Sequence, residues 1–167
     1  MELVRMSWGD LIAAVRSMAR QLRGRDFDAV VAVGVSGLIP AVILRELLGV
    51  GEFYVMIVKR YSDDKPPRLL AEDPVVLQAP EPSSIKGKRV LVVDDLVRTG
   101  RTLEAVKRHL LSRGAASVTT AVVVRRGRSE VDVVGVEVSG CVLFPWEALS
   151  PVEADHHSPT CKPHHGR

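Results

Sequence analysis

Uninterrupted apolar runs take turns along this chain with stretches in which apolar residues recur every three or four positions. The runs at 29–35, 53–58, 90–93 and 118–124 show no polar alternation, the pattern of parallel strands buried on both faces. Leu11, Ile12, Val15, Met18, Ala19 and Leu22 recur at helical spacing. Ser7 and Asp10 ahead of them form a capping box, with Asp in the usual Glu position. A second helix is predicted with Pro40 in its first turn, continuing over 42–48 to Gly49 as its stop. Leu103, Val106, Leu110 and Leu111 predict a third, ended by Gly114. The stretch 131–138 alternates poorly and fits a strand or a crossover, and 141–144 predicts a last short strand. Strands alternating with helices imply an α/β fold, an open, mainly parallel twisted sheet with helices on both faces.

Residues 61–88 break this rhythm. They are polar and proline-rich, and predict a long mobile loop with one short strand at 75–77. The chain is therefore expected to be one domain over 1–150. The segment 151–167 has prolines and no apolar periodicity, and is expected to be a disordered tail. Its His156, His157, Cys161, His164 and His165 are good transition-metal ligand types, but disorder is the favoured expectation there.

Length and composition narrow the class. A chain of 167 residues buries one sizeable core. With 46% hydrophobic but only 4% aromatic residues, Val, Leu and Ala must build it. The net charge of +3 suits an anionic substrate. No basic run is interleaved with aromatics, so nucleic acid is not an expected partner. Without a signal peptide or an apolar run near membrane length, a cytosolic protein with no membrane partner is expected. Cys141 and Cys161 are too few for a disulfide framework, and in that compartment they are expected to stay reduced.

The chemistry concentrates in Val90-Leu91-Val92-Val93-Asp94-Asp95-Leu96-Val97-Arg98-Thr99-Gly100-Arg101-Thr102. A buried strand ends in two acids, then a hydroxyl- and glycine-bearing turn opens a helix. Ligands of open α/β sheets sit at such strand ends. Adjacent acids point to opposite sides, so at most one faces the core, and carboxylates suit the paired hydroxyls of a sugar. Thr99, Gly100, Arg101 and Thr102 form an anion cradle at the helix N-terminus, with Gly100 free to take positive φ and either threonine able to cap the helix. A sugar phosphate has both features. A second glycine turn, Gly34-Val35-Ser36-Gly37-Leu38-Ile39-Pro40, follows the first core strand and exposes backbone N–H groups to an anion. Lys59 and Arg60 end the second strand and are the nearest cations for it.

The thirteen residues resemble the signature of the type I phosphoribosyltransferases, which bind 5-phosphoribosyl-1-pyrophosphate (PRPP). The resemblance extends over about 7–147 and is greatest to the short bacterial and archaeal xanthine–guanine–hypoxanthine branch. It includes Ser7-Trp8-Gly9-Asp10-Leu11, Leu44-Arg45-Glu46-Leu47 and Phe144-Pro145-Trp146-Glu147. It implies a small hood beside the sheet and transfer of the phosphoribosyl group to a 6-oxopurine, in purine salvage. Asp94 and Asp95 would bind the ribose hydroxyls and, through water, Mg²⁺. Arg98 to Thr102 would bind the 5′-phosphate. Val35, Ser36 and Gly37, often with a cis peptide at Val35-Ser36 or its neighbour, would receive the pyrophosphate, with Lys59 and Arg60. Tyr61, on the mobile loop, joins Asp94 and Asp95 as catalytic. Arg125, Val142, Phe144 and Trp146 would form the base site, with Arg126 an alternative to Arg125 and Trp146 better suited to packing. A homodimer or larger homo-oligomer is expected on the same ground.

Two positions depart from that branch. Arg98 stands where an Asp is usual, and an Arg cannot serve as a general base because it stays protonated. Val35 stands where an Arg is frequent. These departures leave open a PRPP-binding regulator without turnover, or transfer to orotate, adenine or uracil.

Overall fold

The computed structural model describes residues 2–59 and 73–149. In chain order the elements are β1 (Leu3–Arg5), α1 (Trp8–Gln21), β2 (Ala29–Gly34), α2 (Leu38–Leu48), β3 (Glu52–Lys59), β4 (Val75–Gln78), α3 (Pro82–Ile85), β5 (Arg89–Val97), α4 (Arg101–Ser112), β6 (Ser117–Arg125), β7 (Val133–Glu137) and β8 (Cys141–Leu143), then a 3-10 turn, Glu147–Leu149. Six strands form one sheet in the order β4-β3-β2-β5-β6-β7, parallel except for the β3–β4 pair. β1 and β8 pair in parallel as a separate two-stranded hood.

The apolar runs became the sheet centre for the expected reason. Val90, Leu91, Val92 and Val93 are fully buried, as are Ala29 to Ala32. Each of these valines and leucines contributes roughly 1.5–3 kcal/mol by leaving water. The two faces of the sheet carry different helices. α1 and α2 pack on one face with the hood, around Leu11, Val15, Met18, Leu44 and Phe144. α4 and Ile85 of α3 cover the other, around Leu103, Val106 and Leu110. The capping box forms as read: Asp10 N–H donates to Ser7 Oγ at 3.1 Å and Ser7 N–H to Asp10 Oδ2 at 2.9 Å. At the bottom of the sheet Arg89 grips Asp28 with both arms of its guanidinium, at 3.0 and 2.9 Å, joining the starts of β2 and β5.

Some expectations shift. α2 begins at Leu38, so Pro40 lies in its first turn as read. The stretch 131–138 is a strand, β7, beside β6. The short strand expected within the long loop forms as β4, antiparallel on β3, and the single turn α3 follows it unexpected. β1 was not expected at all. Cys141 is disulfide-bonded, against the expected reduced state, and the other cysteine, Cys161, lies outside the described residues; the expectation rested on compartment alone. Also outside are Arg60, Tyr61 and the tail 151–167. No helix among the described residues is long and apolar enough to cross a membrane.

Candidate active site

The strand order creates one place where successive connections leave the sheet in opposite directions. β2 is followed laterally by β3 on one side, while β5 joins its other side and is followed outward by β6. The crevice at the carboxyl ends of β2 and β5 is therefore the topological switch point, where open α/β sheets bind ligands. Two loops border it: residues 34–37 after β2, and 98–100 after β5.

β5 delivers the acids. Asp94 is 8% exposed, and its Oδ1 accepts from Asp95 N–H at 2.9 Å. Asp95 Oδ1 accepts from Leu96 N–H at 2.8 Å. Burial pushes Asp94 well above the usual carboxylate range, and the charge of Asp95 pushes it further. Burial also raises Asp95, with a smaller push from Glu147. Opposite strand sides do not isolate the two carboxyls; they titrate as an interacting pair.

The turn after β5 supplies the opposite polarity. Gly100 is the N-cap of α4 with φ 79°, and no side chain caps the helix. Neither Thr99 nor Thr102 takes the capping role that was open to it, so the first-turn amides face outward without a side-chain acceptor. A cavity of about 200 Å³ is lined by Asp94, Leu96, Val97, Arg98, Thr99, Gly100, Thr102 and Leu103. Acids and uncapped amides thus border one space. A larger cavity of about 370 Å³ lies on the α4 side, toward 128–132. It does not reach Asp94, and its mixed lining of cations and acids favours no one ligand charge, so the smaller cavity is the chemically coherent one.

The loop after β2 stands opposite. The peptide bond Gly34–Val35 is cis, one bond before Val35-Ser36. Val35 is 76% exposed. Gly37 starts α2 hard against β5: a Cβ there would lie 2.4 Å from Val33 O, 3.0 Å from Val93 O and 3.1 Å from Asp94 Cα. Only glycine lets this helix back onto the strand that carries the acids.

The residues expected around the base are dispersed. Val142 and Phe144 are buried in the core under the hood and do not line the cavity. Trp146 stacks on Phe144, with centroids 4.6 Å apart and planes at 6°, and meets Trp8 at 6.3 Å, so it packs. Arg125 pairs with Glu137 and lines the larger, α4-side cavity. Arg126 points the other way, its Nη1 donating to Cys141 Sγ at 3.7 Å. Strand alternation breaks just before: Val123 and Val124 both belong to the core on the α1 face. The hood-facing cation is thus Arg126, and the sequence signal for it was only its position one residue past the strand end. Lys59 ends β3 as expected. Among the described residues no group of three or more His, Cys, Asp or Glu can hold a metal. Asp94 and Asp95 are hard oxygen donors with raised pKa values, so a divalent cation relieves their charge, provided a substrate and water complete its coordination.

The phosphoribosyl transferase domain family matches residues 7–149. The chain is 34% identical over 144 residues to the xanthine-guanine phosphoribosyltransferase of Chromohalobacter salexigens, covering 85% of this chain and 82% of that protein. The purine phosphoribosyltransferase of Pyrococcus horikoshii superposes with a TM-score of 0.74 at 29% identity, over 92% of this chain and all (100%) of that one. A hypothetical protein from Neisseria gonorrhoeae with bound ppGpp superposes equally, TM-score 0.74 at 27% identity, over 89% and 90%.

Proposed function

The chain belongs to the phosphoribosyl transferase domain family, and from that premise we propose that it transfers the phosphoribosyl group of PRPP to a 6-oxopurine, giving a nucleoside monophosphate and pyrophosphate. The observation that carries this reading is the single cavity bordered by Asp94 at one end and by the uncapped start of α4 at the other. A ribose with its 5′-phosphate needs both features: acceptors for its hydroxyls and free N–H groups for its phosphate.

Asp94 and Asp95 accept hydrogen bonds from the ribose hydroxyls. The amides of the 99–102 turn, with the hydroxyls of Thr99 and Thr102 and the charges of Arg98 and Arg101, hold the 5′-phosphate. The backbone of Val35, Ser36 and Gly37 receives the pyrophosphate, and Lys59 and Arg60 supply positive charge beside it. Asp94 and Asp95 would hold Mg²⁺ through water. When bound, Mg²⁺ offsets the charge of the departing pyrophosphate. In the reaction the bond from the anomeric carbon to pyrophosphate breaks, a ring nitrogen of the base bonds to that carbon, and the nitrogen's proton leaves to solvent. The protein's part is placement and fixed polar groups around a developing positive centre. Tyr61, on the 61–88 segment, would help exclude water there.

The test is pyrophosphate release with PRPP, Mg²⁺ and guanine, xanthine, hypoxanthine, adenine, orotate or uracil in turn. Turnover is expected with a 6-oxopurine, and Asp94→Asn combined with Asp95→Asn should lower it by about a hundredfold or more. Full activity in that double variant refutes the assignment. A second reading is binding without turnover, favoured by the Neisseria neighbour with its bound ppGpp. Tight PRPP binding with no pyrophosphate release from any base would establish it.

A further inference from the structure

We propose that Asp132 is a positioning residue for the turn assigned to the 5′-phosphate, acting through the segment that joins β6 to β7. The inference rests on the phosphoribosyl-transfer reading above. Parallel neighbours need a connection that returns along the sheet, usually about a dozen residues or more with a helix among them. Here the seven residues 126–132 suffice, without a helix. The register Ala121↔Val133 carries them back from the end of β6 to its middle. On the way this strap leans on the phosphate turn. Arg126 N–H donates to Val97 O at 2.9 Å. A Cβ on Gly127 would lie 3.3 Å from Arg98 O, and one on Gly100 would lie 3.3 Å from Ser129 Cβ. Gly100 therefore makes its left-handed turn against a wall that Ser129 supplies.

Much of that wall has no packed core behind it. Val131 joins the core on the α4 side, but Arg128, Ser129 and Glu130 border the cavity of about 370 Å³, which Gly100, Thr120 and Asp132 also line. A segment seated on close-packed side chains is held by them; one that spans a cavity depends on how its ends are fastened. At the far end the fastening is Asp132. Its Oδ2 accepts from Thr120 N–H at 2.8 Å and from Thr120 Oγ1 at 2.9 Å, and Asp132 N–H donates to the same Oγ1 at 3.2 Å. The carboxylate thereby extends the β6–β7 ladder by one rung before β7 begins. Thr120 is buried, so leaving its N–H without an acceptor is destabilising there. Asp132 does not line the cavity shared by Asp94 and the turn; its effect reaches a substrate through Ser129 and Gly100. The loop 34–37, assigned to pyrophosphate, is seated separately, by Gly37 against β5. Loosening Asp132 should therefore weaken the grip on a 5′-phosphate and spare the grip on pyrophosphate.

The experiment measures, by calorimetry with Mg²⁺ present, the Kd of ribose 5-phosphate and the Kd of pyrophosphate, together with kcat and the KM for PRPP. Asp132→Ala should raise the Kd of ribose 5-phosphate about tenfold and leave that of pyrophosphate unchanged. The KM for PRPP should rise with it while kcat at saturating PRPP stays within about twofold. Thr120→Val removes the hydroxyl but keeps the backbone bond, and should give a smaller shift in the same direction; it decides the matter if Asp132→Ala does not fold. Asp132→Asn keeps an acceptor for Thr120 and should restore most of the affinity. Asp28→Asn, which breaks the clamp to Arg89 at the opposite end of the sheet, should lower Tm without moving the ratio of the two Kd values. An unchanged ratio in both Asp132→Ala and Thr120→Val, or equal weakening of both ligands, overturns the proposal while leaving phosphoribosyl transfer intact. Failure of ribose 5-phosphate to bind the unaltered protein refutes the phosphate assignment and the role of Asp132 with it. Absence of turnover with every base overturns the functional reading instead, and the ratio of Kd values still decides whether Asp132 holds the turn.

Discussion

At Asp94 function and stability pull in opposite directions. A carboxyl whose folded pKa lies above its unfolded value holds a proton more readily when folded. Stability therefore falls as pH rises from the ordinary carboxylate range through the raised values of Asp94 and Asp95. At neutral pH the ionised pair destabilises the fold. Asp94→Asn should thus melt at the same temperature or higher while losing activity, and thermal melts between pH 4 and 8 check it; a clear drop in Tm would show that the pair is structural. Hydroxyl and cation binding need both groups ionised, so kcat/KM for PRPP should decline with falling pH while still above the usual carboxylate range. A limb confined to the ordinary Asp range would contradict the burial argument. Gly100 is the other decisive residue. Its φ of 79° is left-handed, and an added Cβ would lie 3.3 Å from Ser129 Cβ. Gly100→Ala costs roughly 1–2 kcal/mol in backbone strain, and should raise the KM for PRPP by tilting the anion-binding amides.

Between elements, α2 and β5 make the closest functional contact through Gly37. Gly37→Ala forces the helix start away from Val33 O and Asp94 Cα, so activity should fall well beyond what loss of folded protein explains. Ser7→Ala is the natural contrast. It removes one half of the capping box on α1, costs about 1 kcal/mol, and should lower Tm without changing the KM for PRPP. Both kinds of position were visible in the sequence, because capping and glycine turns are local chemistry. The central strands were visible too, since 90–93 and 118–124 have no alternation to misread. β1 was not: three residues, two of them exposed, pair with a strand that begins at Cys141. α3 is a single turn inside a proline-rich stretch and has no period to detect. The acids and the phosphate turn were legible because they are contiguous. The residues expected around the base are not contiguous and were not brought together: Val142 and Phe144 are buried in the core and Arg125 pairs with Glu137.

For the molecule as a whole, the division of labour follows the sheet. The switch point between β2 and β5 gathers both loops assigned to the phosphoribosyl donor. The acceptor side is proposed toward the end of β6 and the hood, whose strands come from opposite ends of the described chain. The hood is fastened to the core by Phe144, which is fully buried between the α1 face of the sheet and Trp146. Donor and acceptor binding should therefore be separable by mutation. Phe144→Ala leaves a cavity costing roughly 3–5 kcal/mol and frees β8 to shift relative to Arg126. At a temperature where the variant remains folded, the KM for the base should rise several-fold more than the KM for PRPP, because the loops at β2 and β5 are anchored by other strands. Steady-state kinetics with each substrate varied in turn decides this. An equal rise in both constants would mean that the hood and the switch point move as one body, and that the core transmits hood displacement to Asp94.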